Sequence, residues 1–190
     1  MRVSNPVKIE NISQALAKGG CAVCAYLKNE QAAMLKGAMR PDEISDLCNF
    51  HAWAFAAASD VHLAANVFLS ILRRRSEHGI NRRDKCSVCD RLLLAEVAQL
   101  KELVSTLRRG LVLKWMEQQG SICSIHGDHL RQLAPEELRS TIDEIVTRTA
   151  THLETDLEGL LVHAGSQEHI GGGALGRAAE FLTSQRGVNR

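Results

Sequence analysis

Four times the chain sets two soft metal ligands three positions apart: Cys21-Ala-Val-Cys24, Cys48-Asn-Phe-His51, Cys86-Ser-Val-Cys89 and Cys123-Ser-Ile-His126. These residues use all 6 cysteines, in two successive copies of the set Cys, Cys, Cys, His. A pair with two residues between its ligands can turn both side chains onto one ion, and two pairs complete a tetrahedron. Zinc takes three thiolates and one imidazole readily, and four protein ligands leave no open position for water or substrate, which defines a structural site. Formal ligand charges leave such a site at about −1. Compensation is expected from Lys18, Arg82, Arg83, Lys85 and Arg91, which stand near the pairs, and from backbone N–H groups of a helix beginning at each pair.

Other uses of these ligands fit less well. An iron–sulfur cluster can take four of them, but cluster ligation is usually all cysteine, and the compact multi-cysteine runs of ferredoxins are absent. It is kept as the alternative to two Zn2+ per chain. A thioredoxin-like pair would need a βαβ setting and would leave the Cys-x-x-His pairs idle. Haem of the c type needs His directly after the second cysteine, where Ala25 and Asp90 stand. Disulfides belong to an oxidising compartment and would make the two histidines coincidental.

The elements that must position the ligands read as helices. The chain has 3 prolines and 4% aromatic residues, and its long Ala-, Leu-, Glu-, Gln- and Arg-rich stretches favour helix. Apolar stripes at spacings of three and four run through Ala54, Ala57, Val61, Ala64, Phe68 and Ile71, and through Leu93, Val97, Leu100, Val104, Leu107 and Leu111. After Pro135, with Glu136 and Glu137 in the first turn, Leu138, Ile142, Ile145, Leu153, Leu157 and Leu160 mark a long helix ending near Gly165. The fold class expected is all-α: a helical bundle of two tandem Cys3His modules, residues 1–80 and 81–164, packed as one domain with a long C-terminal helix. Gly171-Gly172-Gly173 then opens a tail, 165–190, read as flexible or ordered by a partner.

There are 23 residues between Cys24 and Cys48 and 33 between Cys89 and Cys123. If each module closes on its own ion, the intervening segment must go out and return. A helix, a turn at Arg40-Pro41 and a return through Ile44 and Leu47 would achieve this in the first module. Pairing across modules, with Cys21 and Cys24 sharing an ion with Cys123 and His126, satisfies the same ligand count. Local pairing has the smaller loop-closure cost, but the sequence leaves both open.

The pattern of Cys-x-x-Cys leading into a Leu-rich helix, followed by Leu47-Cys48-x-x-His51-x-Trp53 or Ile122-Cys123-x-x-His126 opening another, resembles an uncharacterised family of small helical prokaryotic proteins. The resemblance runs from about Cys21 to Leu130 and covers all eight ligand positions. Where the family pattern has Gly before the third cysteine, this chain has Asp46-Leu47 in one module and Gly120-Ser121-Ile122 in the other. The resemblance implies metal binding and helical architecture, and it brings no activity.

The remaining chemistry is sparse. Asp128 is a candidate to orient His126, and Trp53, two residues beyond His51, to seal its site from water. Ser121 and Ser124 lack a free base, and Glu30, Glu43, Glu96 and Glu102 fall at what read as exposed helical phases, so no catalytic constellation forms and an enzyme is not expected. Asp60, His62 and Asn66 read as an exposed helix edge. A net charge of +1 and a pI near 7.7 argue against a dedicated nucleic-acid binder, although Arg73-Arg74-Arg75 and Arg82-Arg83-x-Lys85 form a local basic run. With no signal peptide or membrane-spanning stretch, a reducing cytoplasm is expected. A protein partner or enzyme subunit is the leading expectation, nucleic acid a weaker one, and a homo-oligomer is compatible.

Overall fold

The computed structural model describes residues 20–78, 85–108, 121–163 and 172–184. Among them the regular structure is helical: α1 (Ala22–Ala33), α2 (Asn49–Ala58), α3 (Val61–His78), α4 (Ser87–Arg108), α5 (Ser124–Leu133), α6 (Glu136–His163) and α7 (Gly172–Thr183). A π-helical segment, Met34–Ala38, follows α1, and a 3-10 turn, Pro41–Glu43, precedes α2. Extended pairing among the described residues is a single bridge, Cys21 to Ser121.

The chain forms two compact units whose boundary falls inside α1 and α4. One joins the chain up to Tyr26 to Val97–Arg186, and the other is built on Leu27–Glu96. Each unit thus draws on both sequence repeats. The expected junction between residues 80 and 81 lies outside the described residues.

In the Leu27–Glu96 unit, the chain leaves α1 through Gly37, whose φ of 99° is a conformation that only glycine adopts without strain. Pro41 then sets the 3-10 turn, and Ile44 returns fully buried. A turn at Arg40-Pro41 and a buried Ile44 are present, but they do not bring Cys48 back to Cys21 and Cys24. The stripe from Ala54 to Ile71 does not run as one helix. Asp60 breaks it by capping α3, its carboxylate accepting the N–H groups of His62 at 2.9 Å and Leu63 at 3.3 Å. Phe55, Ala64, Val67 and Ile71 face the core, and Val61 is left 78% exposed.

In the other unit, α5 and α6 pack closely, with α7 against both. Ile142, Ile145 and Leu153 of α6 are buried, as are Leu100, Leu103, Val104 and Leu107 of α4. Further up α4 the buried positions are Val88, Leu92 and Glu96, while Leu93 and Val97 are exposed, so the sequence stripe is wrong in phase there. Leu111 lies outside the described residues. The tail expected to be flexible or partner-ordered contains α7, which ends at Ser184, a residue with φ of 64° whose N–H donates to the Glu180 carbonyl.

Gly127 marks the tightest helix contact. A Cβ there would stand 2.5 Å from Val146 Cγ2, so α5 reaches α6 only because this side chain is missing. Gly127→Ala is expected to destabilise the fold by roughly 1–3 kcal/mol in denaturant titration, and Val146→Ala to recover much of the loss. An unchanged midpoint for the single variant would show that the contact relaxes freely.

Candidate metal centres

Each ligand pair sits at a helix N-terminus. The first cysteine precedes the helix and the second ligand lies in its first turn: Cys21 and Cys24 on α1, Cys48 and His51 on α2, Cys86 and Cys89 on α4, Cys123 and His126 on α5. All four pairs share one backbone signature, in which the carbonyl of the first cysteine accepts the N–H four residues on: Ala25 at 2.9 Å, Ala52 at 2.9 Å, Asp90 at 3.0 Å and Gly127 at 2.8 Å. Cys48 and Cys123 also have nearly the same dihedrals, φ −71° and ψ 165° against φ −70° and ψ 159°. A cysteine in extended conformation followed by a helical turn points both ligand atoms past the helix end, where unpaired N–H groups and the helix dipole favour negative charge.

The pairs join across the repeats. Cys21, Cys24, Cys123 and His126 form one group and Cys48, His51, Cys86 and Cys89 the other, with the ligand atoms of each group within 4.8 Å of one another. The closure within each module, favoured on loop length, is not the one the fold uses. Each group lies inside one of the two units.

In the first group the His126 Nδ1 atom stands 3.5 Å from Cys21 Sγ, 3.4 Å from Cys24 Sγ and 3.0 Å from Cys123 Sγ, and Cys24 Sγ is 3.8 Å from Cys123 Sγ. In the second, His51 Nδ1 is 3.4 Å from Cys48 Sγ, 3.3 Å from Cys86 Sγ and 3.4 Å from Cys89 Sγ, with Cys48 and Cys89 sulfurs 3.9 Å apart. Zinc–ligand bond lengths give a regular tetrahedron edges of about 3.8 Å between sulfurs and about 3.6 Å from sulfur to nitrogen. The donor set and its spacing therefore fit one ion per group.

The surroundings of the two groups differ. All four ligands of the first group are buried, and α7 lies over them. Glu180 Oε1 accepts the Cys21 N–H at 2.9 Å, the Ser184 hydroxyl is 3.8 Å from Cys24 Sγ, and the Ser124 hydroxyl donates to the Phe181 carbonyl at 2.7 Å. Ser121 closes the other side by donating to the Gly20 carbonyl at 2.6 Å. Sequence reading missed Glu180 and Ser184 because they follow the Gly-rich stretch. The available signal was the short apolar segment Ala174 to Leu182. In the second group His51 is buried, but Cys48, Cys86 and Cys89 are only half-buried. Beside it, Ser87 ties α4 to the chain before Cys48: its hydroxyl accepts the Ser45 N–H at 2.9 Å and its N–H donates to the Asp46 carbonyl at 3.0 Å.

The electrostatics of the two groups favour thiolate at Cys123 and oppose it at Cys24 and Cys86. The Cys123 thiol is drawn well below its usual range by hydrogen bonds from Cys21 and Cys24, which outweigh burial, and the His126 N–H helps. Cys24 is pushed up, first by its hydrogen bond to Cys123. Burial raises Cys86 against the N–H groups of Cys48 and Cys89 directed at its sulfur. Burial lowers His51, keeping the ring neutral and able to coordinate.

Several other expectations change. Trp53 does not seal a site, being 71% exposed, and Asp128 is exposed while His126 is fully buried. Glu96 is not at an exposed phase but 1% exposed. Of the basic run, Arg75 pairs with Asp46 and Arg74 donates to the Ile44 carbonyl, so both hold the segment leading to Cys48. Lys85 is exposed and Arg91 half-buried, while Lys18, Arg82 and Arg83 lie outside the described residues. No helix among the described residues is long and apolar enough to cross a membrane.

Comparison with protein-family models, curated proteins and solved structures finds no match.

Two outcomes follow from this geometry. Cys24→Ser/Cys123→Ser removes two ligands from one ion and should leave about one metal per chain, whereas Cys24→Ser/Cys48→Ser damages both tetrahedra and should leave none. The reverse pattern in elemental analysis would restore closure within modules. Because burial holds His51 below its unfolded value, stability from the neutral ring is present above about pH 6.5 and is lost as pH falls through the lowered folded value. Metal release, followed with a chromogenic chelator, should accordingly rise on acidification. Release that instead rises with pH would contradict this.

Proposed function

We propose that the chain is a zinc-organised helical protein whose two Cys3His sites are structural, and that it acts by presenting its helices to a protein partner as an interaction module or accessory subunit. The single-ion spacing of both ligand groups carries the reading. Iron–sulfur clusters distribute their protein ligands over more than one iron, outside a core that holds those ligands well apart. Sulfurs 3.8 Å apart in one group and 3.9 Å apart in the other, with the imidazole nitrogen 3.0–3.5 Å from sulfur, suit a tetrahedron around one ion instead. Four protein ligands per ion also leave no vacancy for catalysis.

Support for the interaction role comes from apolar side chains left in solvent. In one unit these include Trp53 and Leu94, and in the other Leu161, Val162, Leu175 and Leu182, each at least 60% exposed. Isolated exposed apolar residues are ordinary, but α7 carries Leu175 and Leu182 two turns apart on one side. The basic run gives nucleic acid less support, since Arg74 and Arg75 are engaged within the protein.

Elemental analysis and an ultraviolet–visible spectrum of protein purified without oxygen or chelator test the reading. About two zinc ions per chain and no visible band are expected. Iron with matching sulfide and a broad visible band would replace it with electron transfer.

A further inference from the structure

The two ligand groups have the same donors and nearly the same spacing, yet they differ in what a small solute can reach. In the first, Cys21, Cys24 and Cys123 are 4% exposed or less, beneath the α7 contacts made by Glu180, Phe181 and Ser184. In the second, Cys48 and Cys89 are half-buried and hold their sulfurs 3.9 Å apart. Thiolates react with oxidants according to their negative charge and accessibility. Charge is similar in the two groups because their ligand sets are the same, so accessibility decides between them.

We propose that Cys48, Cys86 and Cys89 form an oxidation-sensitive modification site for hydroperoxides, while the first site stays closed to them. The inference rests on zinc occupying both groups. One thiolate attacks the distal peroxide oxygen, breaking the O–O bond, forming a sulfenic acid and releasing the alcohol, or water from hydrogen peroxide, once the leaving oxygen takes a proton. A second thiolate attacks that sulfur, forming the disulfide, and the departing hydroxide is protonated by solvent. Two electrons pass from the sulfurs to the peroxide, which accepts two protons in all. Only the third thiolate and His51 then remain as donors, too few to retain a structural ion. The Cys48 to Cys89 separation makes this pair the natural disulfide, since modest side-chain rotation closes 3.9 Å toward bonding distance.

What the modification releases is local. The ion at this site holds the first turn of α2 to the first turn of α4, alongside the Ser45–Ser87 and Asp46–Ser87 hydrogen bonds. Oxidation would leave that junction to these bonds and to the Arg75–Asp46 pair. The Leu27–Glu96 unit would loosen while the other keeps its metal.

The test treats the zinc-loaded chain with hydrogen peroxide in the presence of a chromogenic chelator, then maps cysteines by alkylation and peptide mass spectrometry. Half of the bound zinc should be released in a first phase, with a disulfide among Cys48, Cys86 and Cys89 and with Cys21, Cys24 and Cys123 still reduced. Brief N-ethylmaleimide labelling of the untreated holoprotein should mark Cys48 and Cys89 first, which needs no variant to fold. Parallel loss of both ions, earlier oxidation of Cys21, Cys24 or Cys123, or no release while glutathione in the same tube is oxidised would each overturn the proposal. Fewer than two zinc ions before treatment would instead count against the zinc reading itself.

Discussion

The structure depends on bringing three thiolates and an imidazole together without leaving their charge exposed to repulsion. The chain meets this requirement in the same way four times, by starting a helix at every ligand pair. The N-terminus of a helix offers unpaired N–H groups and the positive end of its dipole, each such terminus contributing typically 0.3–1 kcal/mol toward a nearby anion. Two helix starts meet at each ligand group. This accounts for why the Cys-x-x-Cys and Cys-x-x-His pairs, despite different second ligands, share the same backbone bond from the first cysteine carbonyl. The pair is a helix first turn as much as it is a ligand spacing.

That construction was legible in the sequence, and so was the all-α class, because spacing, cysteine usage and helix-forming composition are local properties. Partner choice was not. Closing within modules instead of across them saves, by the logarithmic dependence on loop length, about 1 kcal/mol. A structural zinc site contributes on the order of 10 kcal/mol. A preference of that small size cannot select the topology. Pairing across modules, which the sequence left open, frees the segment between Cys24 and Cys48 from returning to its start, because the second ligand pair joins the other group.

The misread residues have separate causes. Periodicity identifies an amphipathic helix, but not which of two adjacent stripes is buried when a helix takes part in two units. On α4 the stripe holds through Leu100, Val104 and Leu107 in the unit that begins at the exposed Val97, while in the other unit Val88, Leu92 and Glu96 are buried and Leu93 is exposed. At Asp60 the alanine stripe gave way to side-chain capping, a stronger local signal than apolar phase. Glu180 and Ser184 reach the first metal group only through the packing of α7, so no motif near the cysteines could announce them.

The nested pairing also orders the closures. Cys48 and Cys89 are 41 residues apart, and they lie wholly inside the span of 99 that separates Cys24 from Cys123. Closing the inner site first shortens the outer loop to an effective 99 − 41 = 58 residues, which lowers its closure cost by about 0.5 kcal/mol. The reverse order gives the inner pair the same relief, because the product of constraints is identical in the finished fold. Kinetically, however, the shorter search comes first. The inner site is also the one with half-buried sulfurs, so the junction made early is the one solvent reaches most easily, while the long closure ends under α7. Connectivity and exposure therefore point in the same direction: the short loop is easy to form and easy to reopen, and the long loop is held by the more completely enclosed ligand set.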